Sequence, residues 1–183
     1  MKDISFVFKI VVIGDGRVGK TSLIQKFTQS TFKEDYIKTI GAQLSNFDKE
    51  INDDKIRLQF WDIAGQDTFH FLRPSFFKNS RAAIIVYSLE DSKLGQESFE
   101  NIPNWYDEIK KYCGDIPILI FANKGDLVDI SQLDKSPITE LVEENNLLGY
   151  RITSAKTGKG VTDAFNDIIN KLYQKFKSLS NEL

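Results

Sequence analysis

Gly14-Asp15-Gly16-Arg17-Val18-Gly19-Lys20-Thr21 decides how the rest of this chain is read. It fits the spacing G-x-x-x-x-G-K-[ST], in which a glycine-rich loop curls so that several backbone N–H groups face one phosphate. The residues before it, Phe6 to Ile13, are apolar and β-branched, as a strand requires. The residues after it, Lys20 to Gln29, follow a helical pattern, which sets the positive end of a helix dipole against the loop. Within this motif Lys20 would reach the outer phosphates as a point charge, and Thr21 would offer a hydroxyl to Mg²⁺. The motif implies a nucleoside triphosphate. It does not separate ATP from GTP, or a kinase from a switch.

Outward from the loop, apolar runs alternate with helical patterns. Gln43 to Ile51 and Lys55 to Asp62 read as strands around the turn-forming Asn52-Asp53-Asp54. Ala82 to Tyr87 and Ile116 to Phe121 are short continuous apolar runs, which suit strands buried on both faces. Gln96 to Lys111 carries Phe99, Ile102, Tyr106 and Ile109 on one stripe, and Val161 to Phe176 carries Phe165, Ile168, Ile169, Leu172 and Phe176 on another. Leu133 to Asn146 reads as a further helix. The alternation predicts a mostly parallel sheet of about six strands with helices on both faces, and the tight turn near residue 53 adds one antiparallel edge. Ligands of such sheets bind at the carboxyl ends of the strands, and each motif here follows an apolar run.

One of those runs, Ile118 to Ala122, leads into Asn123-Lys124-Gly125-Asp126. Guanine presents N1–H and its exocyclic amine side by side, and a single carboxylate at Asp126 can accept from both. Adenine lacks that pair of donors, so a buried Asp126 would be left unpaired against it. Ser154-Ala155-Lys156 follows another short strand, Tyr150 to Thr153, and a backbone N–H there could hold the guanine oxygen.

Bulk properties narrow the class. A chain of 183 residues suits one domain, spanning 1–183, and buries roughly 70% of its unfolded surface. Apolar content of 41% and charged content of 27% are ordinary for a globular protein. A net charge of -2 gives no electrostatic footprint for nucleic acid. The lone Cys113 forms no internal disulfide, suits a reducing cytosol and reads as a small packed residue. No apolar run reaches the ~18 residues a membrane span needs, and neither end shows a signal peptide or a lipidation motif. His70 is the only histidine, which excludes a histidine cluster for metal or nucleophilic chemistry.

Taken in order, Gly14 to Thr21, Thr39-Ile40-Gly41, Trp61-Asp62-Ile63-Ala64-Gly65-Gln66, Asn123 to Asp126 and Ser154-Ala155-Lys156 resemble the Ras superfamily of small GTPases. Thr39-Ile40-Gly41, and Ser98-Phe99-Glu100-Asn101 before Trp105, are similar to its Rab branch. The resemblance implies a P-loop NTPase fold, GTP or GDP as ligand, and Mg²⁺ as cofactor. It implies nucleotide contacts from Asp15, Gly16, Arg17, Val18, Gly19, Lys20, Thr21, Ser22, Phe32, Tyr36, Thr39, Gly65, Asn123, Lys124, Asp126, Ser154, Ala155 and Lys156. Thr21 and Thr39 would reach the metal directly and Asp62 through water. Gly65 would donate its N–H to the γ-phosphate and Gln66 would orient the attacking water, so Lys20, Thr39, Gly65 and Gln66 form the expected catalytic set. Residues 31–41 and 63–77 would be the two switches, ordered by the γ-phosphate and released after hydrolysis.

Unaided turnover would be slow, on the order of 10⁻⁴ to 10⁻³ s⁻¹, the scale on which Ras works alone. A GTPase-activating protein, an exchange factor and effectors binding the switches and an apolar patch at Phe47, Trp61 and Phe76 are the expected partners. The expected protein is a cytoplasmic monomer, peripheral to membranes through partners; Rab relatives end in prenylated cysteines, and this sequence, which shows none, is either truncated or does without that anchor. Ile63 and Asp67 depart from the usual threonine and glutamate, and Ser88 to Gly95 reads as a surface loop lengthened by a few residues. Two other readings stay open from the residues: a GTP-binding interaction module that does not hydrolyse, and a P-loop kinase or ATPase.

Overall fold

In a computed structural model, which describes residues 3–29, 41–65 and 71–181, the apolar runs become strands and the amphipathic stretches become helices. In chain order these are β1 (Ile4–Ile13), α1 (Lys20–Gln29), β2 (Ala42–Ile51), β3 (Asp54–Ile63), α2 (Arg73–Phe77) and β4 (Ala82–Ser88). They continue with α3 (Lys93–Glu100), α4 (Ile102–Cys113), β5 (Ile118–Asn123), α5 (Ser136–Glu144), β6 (Tyr150–Ile152) and α6 (Val161–Asn181).

The six strands form one sheet in the order β2-β3-β1-β4-β5-β6. All neighbours run parallel except β2, which pairs antiparallel with β3 along a register from Ala42 opposite Ile63 to Ile51 opposite Asp54. Asn52 and Asp53 make the turn with φ of 48° and 67°, the left-handed conformation a tight hairpin needs. Burial follows position. Every residue of β4 and β5 is buried, as central strands covered on both faces must be, whereas β2 alternates as an edge strand.

The pleat sends neighbouring side chains to opposite faces, and each face has its own core. Phe8, Ile10 and Val12 of β1 join Leu58 and Phe60 beneath α1 and α6, where Phe165 stacks on Phe27 with ring centroids 4.4 Å apart. Val11 and Ile13 face the other way, towards Phe77, Ile102, Trp105, Ile109 and Ile138 of α2, α4 and α5. On this second face Lys9 lays its ammonium 4.3 Å from the Trp61 ring centroid and donates to the Lys78 carbonyl oxygen. The tip of the hairpin is fastened to α6, because Asp54 accepts from both the Tyr173 hydroxyl and Lys177 Nζ.

Three expectations need correction. The helix expected over Gln96 to Lys111 is two helices, broken at Asn101 because Pro103 has no N–H to continue a helix and fits only a first turn. The stretch Ser88 to Gly95 is not a loop throughout. Ser88 ends β4, Lys93 begins α3 with Ser92 capping it, and only the residues between are irregular. Phe47 does not share a patch with Trp61 and Phe76. It faces the α1–α6 core, 5.0 Å from the Phe27 ring, whereas Leu44 lies opposite Trp61 in the register and is 44% exposed. Phe76 packs against Trp61 on that second face. Among the described residues no helix is long and apolar enough to cross a membrane.

Candidate functional site

The strand order reverses around β1, whose neighbours are β3 and β4, and this is where an open α/β sheet leaves a crevice at its carboxyl edge. Four segments converge on that edge: the loop after β1, the end of β3, the turn after β5 and the loop after β6.

The loop of residues 14–19 leads directly into the N-terminus of α1, which begins at Lys20. Lys20 is buried, and its ammonium donates to the carbonyl oxygens of Gly14 at 2.8 Å and Asp15 at 2.7 Å. Burial lowers its pKa to about 8 against the opposing pull of Asp62 and Asp15, with Arg73 adding to the fall. A cation held by neutral carbonyls in a desolvated loop gains strongly from an incoming anion. Gly65, just past β3, lies so close over the loop that a Cβ there would stand 2.3 Å from the Gly14 carbonyl oxygen. Its backbone can approach whatever the loop holds only because it has no side chain. Arg17 is exposed and sits at φ 66°, and Ser22 follows within the first turn of α1.

Thr21 donates its hydroxyl to Asp62 Oδ2 in a short hydrogen bond. Asp62, at the end of β3, is 2% exposed. One hydroxyl and one carboxylate oxygen side by side at the mouth of a phosphate loop are hard donors of the kind Mg²⁺ takes, with its remaining positions left to phosphate and water. Among the described residues no cluster of three metal-ligating side chains occurs, so a cation there would rely on its ligand in that way.

Asn123 ties the other two segments to the loop. Its side-chain amide donates to the Val18 carbonyl oxygen at 2.9 Å, and its Oδ1 accepts from the Thr153 hydroxyl and the Ala155 N–H, both at 3.2 Å. Ser154 donates its hydroxyl to Asp126 Oδ1 at 2.6 Å. Asp126 itself is exposed, a correction to the buried carboxylate expected. It is the middle residue of a 3₁₀ turn over Gly125–Leu127, and Ser154 rather than burial fixes its orientation. Lys124 adopts φ 63° and ψ 32°, while Lys156 lies on the surface.

Asp15 through Ser22, Asp62, Gly65, Asn123, Lys124, Asp126 and Ser154 to Lys156 are thus gathered at one edge. Phe32, Tyr36, Thr39 and Gln66, together with His70 and Asp67, lie outside the described residues. Sequence reasoning missed a set of side chains behind the loop. Asp15 accepts from Asn101 Nδ2 and Trp105 Nε1, both at 2.7 Å. Arg73 lies buried with its guanidinium 4.4 Å from the Trp105 ring centroid and Nη1 2.9 Å from Glu108 Oε1. A cleft of about 460 Å³ lies among Asp15, Gly65, Arg73, Trp105 and Glu108. The spacing of Asn101, Trp105 and Glu108 along a helix places them on one face, but nothing in the sequence aims that face at the loop.

The sequence profile of the Ras family matches residues 9–174. Ras-related protein Rab-19 of Mus musculus is 33% identical over 165 residues, covering 90% of this chain and 74% of that protein. Ras-related protein Rab-30 of Homo sapiens is 35% identical over 173 residues, covering 94% of this chain and 83% of that protein.

Proposed function

The chain belongs to the Ras family and is Rab-like, and from that premise we propose that it is a small GTPase switch in a single G domain, which binds GTP or GDP with Mg²⁺, hydrolyses GTP slowly and thereby controls effector binding. The observation that carries the reading is the placement of Asn123, whose one side chain joins the phosphate loop to both segments expected to hold the base. A phosphate loop alone would fit many nucleotides. A phosphate loop fastened through Asn123 to the segments that carry Asp126 and Ala155 fits a guanine nucleotide lying between them.

The roles follow from the groups present. Lys20 leaves the Gly14 and Asp15 carbonyls for the β- and γ-phosphates, and the N–H groups of residues 15–21 face the same oxygens. Thr21 and Asp62 would hold Mg²⁺, Asp62 through water, and Thr39 would add a ligand; when bound, the cation would supply positive charge against the phosphate oxygens. The Gly65 N–H meets the γ-phosphate, and Gln66 orients the attacking water. Asp126 accepts from guanine N1–H and the exocyclic amine, and a backbone N–H of the Ser154-Ala155-Lys156 segment holds the guanine oxygen. Effectors would read the switches together with the apolar face carrying Leu44, Trp61 and Phe76. That readout is the step at which a Rab-like role in membrane traffic would enter.

The test is single-turnover hydrolysis of bound GTP with Mg²⁺, comparing wild type with Gln66→Leu. Slow phosphate release that the substitution slows by about tenfold or more supports the switch. Tight GTP binding without turnover in either protein would leave a non-hydrolysing module. Preference for ATP would refute the base assignment.

A further inference from the structure

The parallel register of β4 and β5 ends with Ser88 opposite Asn123, and the Leu89 N–H donates to the Asn123 carbonyl oxygen at 2.8 Å. The residues that follow each strand are therefore neighbours. Glu90 stands beside Lys124, and Lys124 Nζ lies 2.8 Å from Glu90 Oε2. Both side chains are largely shielded, with 25% and 21% of their surface exposed.

Glu90 is itself held from several sides. The Ser92 hydroxyl donates to Glu90 Oε1 at 3.0 Å, the Ser92 N–H donates to the Glu90 carbonyl oxygen at 2.9 Å, and the Glu90 N–H reaches Ser88 Oγ at 3.3 Å. The first turn of α3 closes over it, with Gly95 so near that a Cβ would stand 2.0 Å from the Glu90 carbonyl oxygen. Burial pushes the Glu90 carboxyl up, but the hydrogen bonds from Lys124 and Ser92 and the Lys124 charge outweigh it, so the group ionises below its usual range. Lys124 has a left-handed backbone, which an L-residue adopts at some cost and keeps only where its surroundings impose it. A lysine carries its charge on a flexible four-carbon stem, and fixing the charge fixes the stem.

We propose that Glu90 is a positioning residue for base recognition, anchoring the Lys124 ammonium so that the Lys124 stem forms a fixed apolar surface beside the guanine that Asp126 reads. This rests on the guanine-nucleotide reading of the site. The short segment between β4 and α3 thereby contributes to nucleotide retention while touching no part of the nucleotide, and it does so with a full charge rather than by shape.

The test is release of fluorescent GDP from the Mg²⁺-loaded protein, measured for wild type, Glu90→Gln, Lys124→Met and the double variant. Glu90→Gln keeps the shape and removes the charge, and it should speed release about threefold to tenfold. In the Lys124→Met background the same change should add less than about 1.5-fold, because the partner is gone. Glu90→Lys, made in the wild-type background, should speed release more than Glu90→Gln does, and this order stands even if Lys124→Met fails to fold. Release unchanged in Glu90→Gln, equal acceleration in both backgrounds, or Glu90→Lys no faster than Glu90→Gln would each overturn the proposal. A wild-type protein that holds no GDP would overturn the guanine-nucleotide reading itself. A wild type that holds GDP without this coupling overturns only the role of Glu90.

Discussion

The two ends of the candidate site are built in opposite ways. At the base end the groups that would meet the ligand are already fixed by one another. Asn123 is bonded to Val18, Thr153 and Ala155, Asp126 to Ser154, and Lys124 to Glu90. At the phosphate end the groups occupy themselves. Lys20 bonds the carbonyls of its own loop, and Thr21 bonds Asp62. A ligand would complete the base end but would have to exchange partners at the phosphate end. Preformed sites supply specificity, and partner exchange supplies the response to what is bound. A protein that must accept guanine in every state yet distinguish a triphosphate from a diphosphate is served by this division.

The division can be broken most directly at Asp126. Asp126→Asn should weaken GDP binding by about 10²–10³-fold and shift preference towards xanthine, because an amide cannot accept from both guanine donors. Calorimetric titration with GDP and xanthosine diphosphate measures it, and unchanged GDP affinity would falsify the base assignment. A smaller effect is expected at the other end. Chelating Mg²⁺ should speed GDP release by about tenfold or more in wild type, and by the same factor in Asp126→Asn, since independent ends contribute additively in free energy. Unequal factors in stopped-flow release would show that the ends are one unit. The smallest effect concerns Arg17, whose φ of 66° favours glycine. Arg17→Gly relieves that strain but gives up the contact of the Arg17 side chain and gains freedom in the unfolded chain, so the opposed contributions should leave the melting temperature of the GDP-loaded protein within about 2 °C of wild type. A clear fall on calorimetry would mean that the side chain stabilises the loop.

The difference between the ends also marks what the sequence made legible. Strand ends, glycine spacing and the bounds of α1 were readable because they are local: Lys20 to Gln29 is a helix in both readings. The sheet and its antiparallel hairpin followed from Asn52-Asp53 between two alternating runs. Contacts made through space were not legible. Glu90 meets Lys124 only because β4 and β5 share a register, and Asp15 meets Trp105 only because α4 packs behind the loop. Alternation told that β2 has two faces but not which face was which, so Phe47 was placed where Leu44 stands. One miss had a local signal. Pro103 within an apparent helix pattern marks a new first turn, and that was enough to divide α3 from α4.

Asn123 bonds across 105 residues to Val18 and across 32 to Ala155. During synthesis the phosphate loop leaves the ribosome before the base segments that complete its site, which follow about a hundred residues or more later. A nascent chain would thus carry a phosphate loop it could not use until residues 153–155 had emerged, and nucleotide capture would coincide with the closing steps of folding.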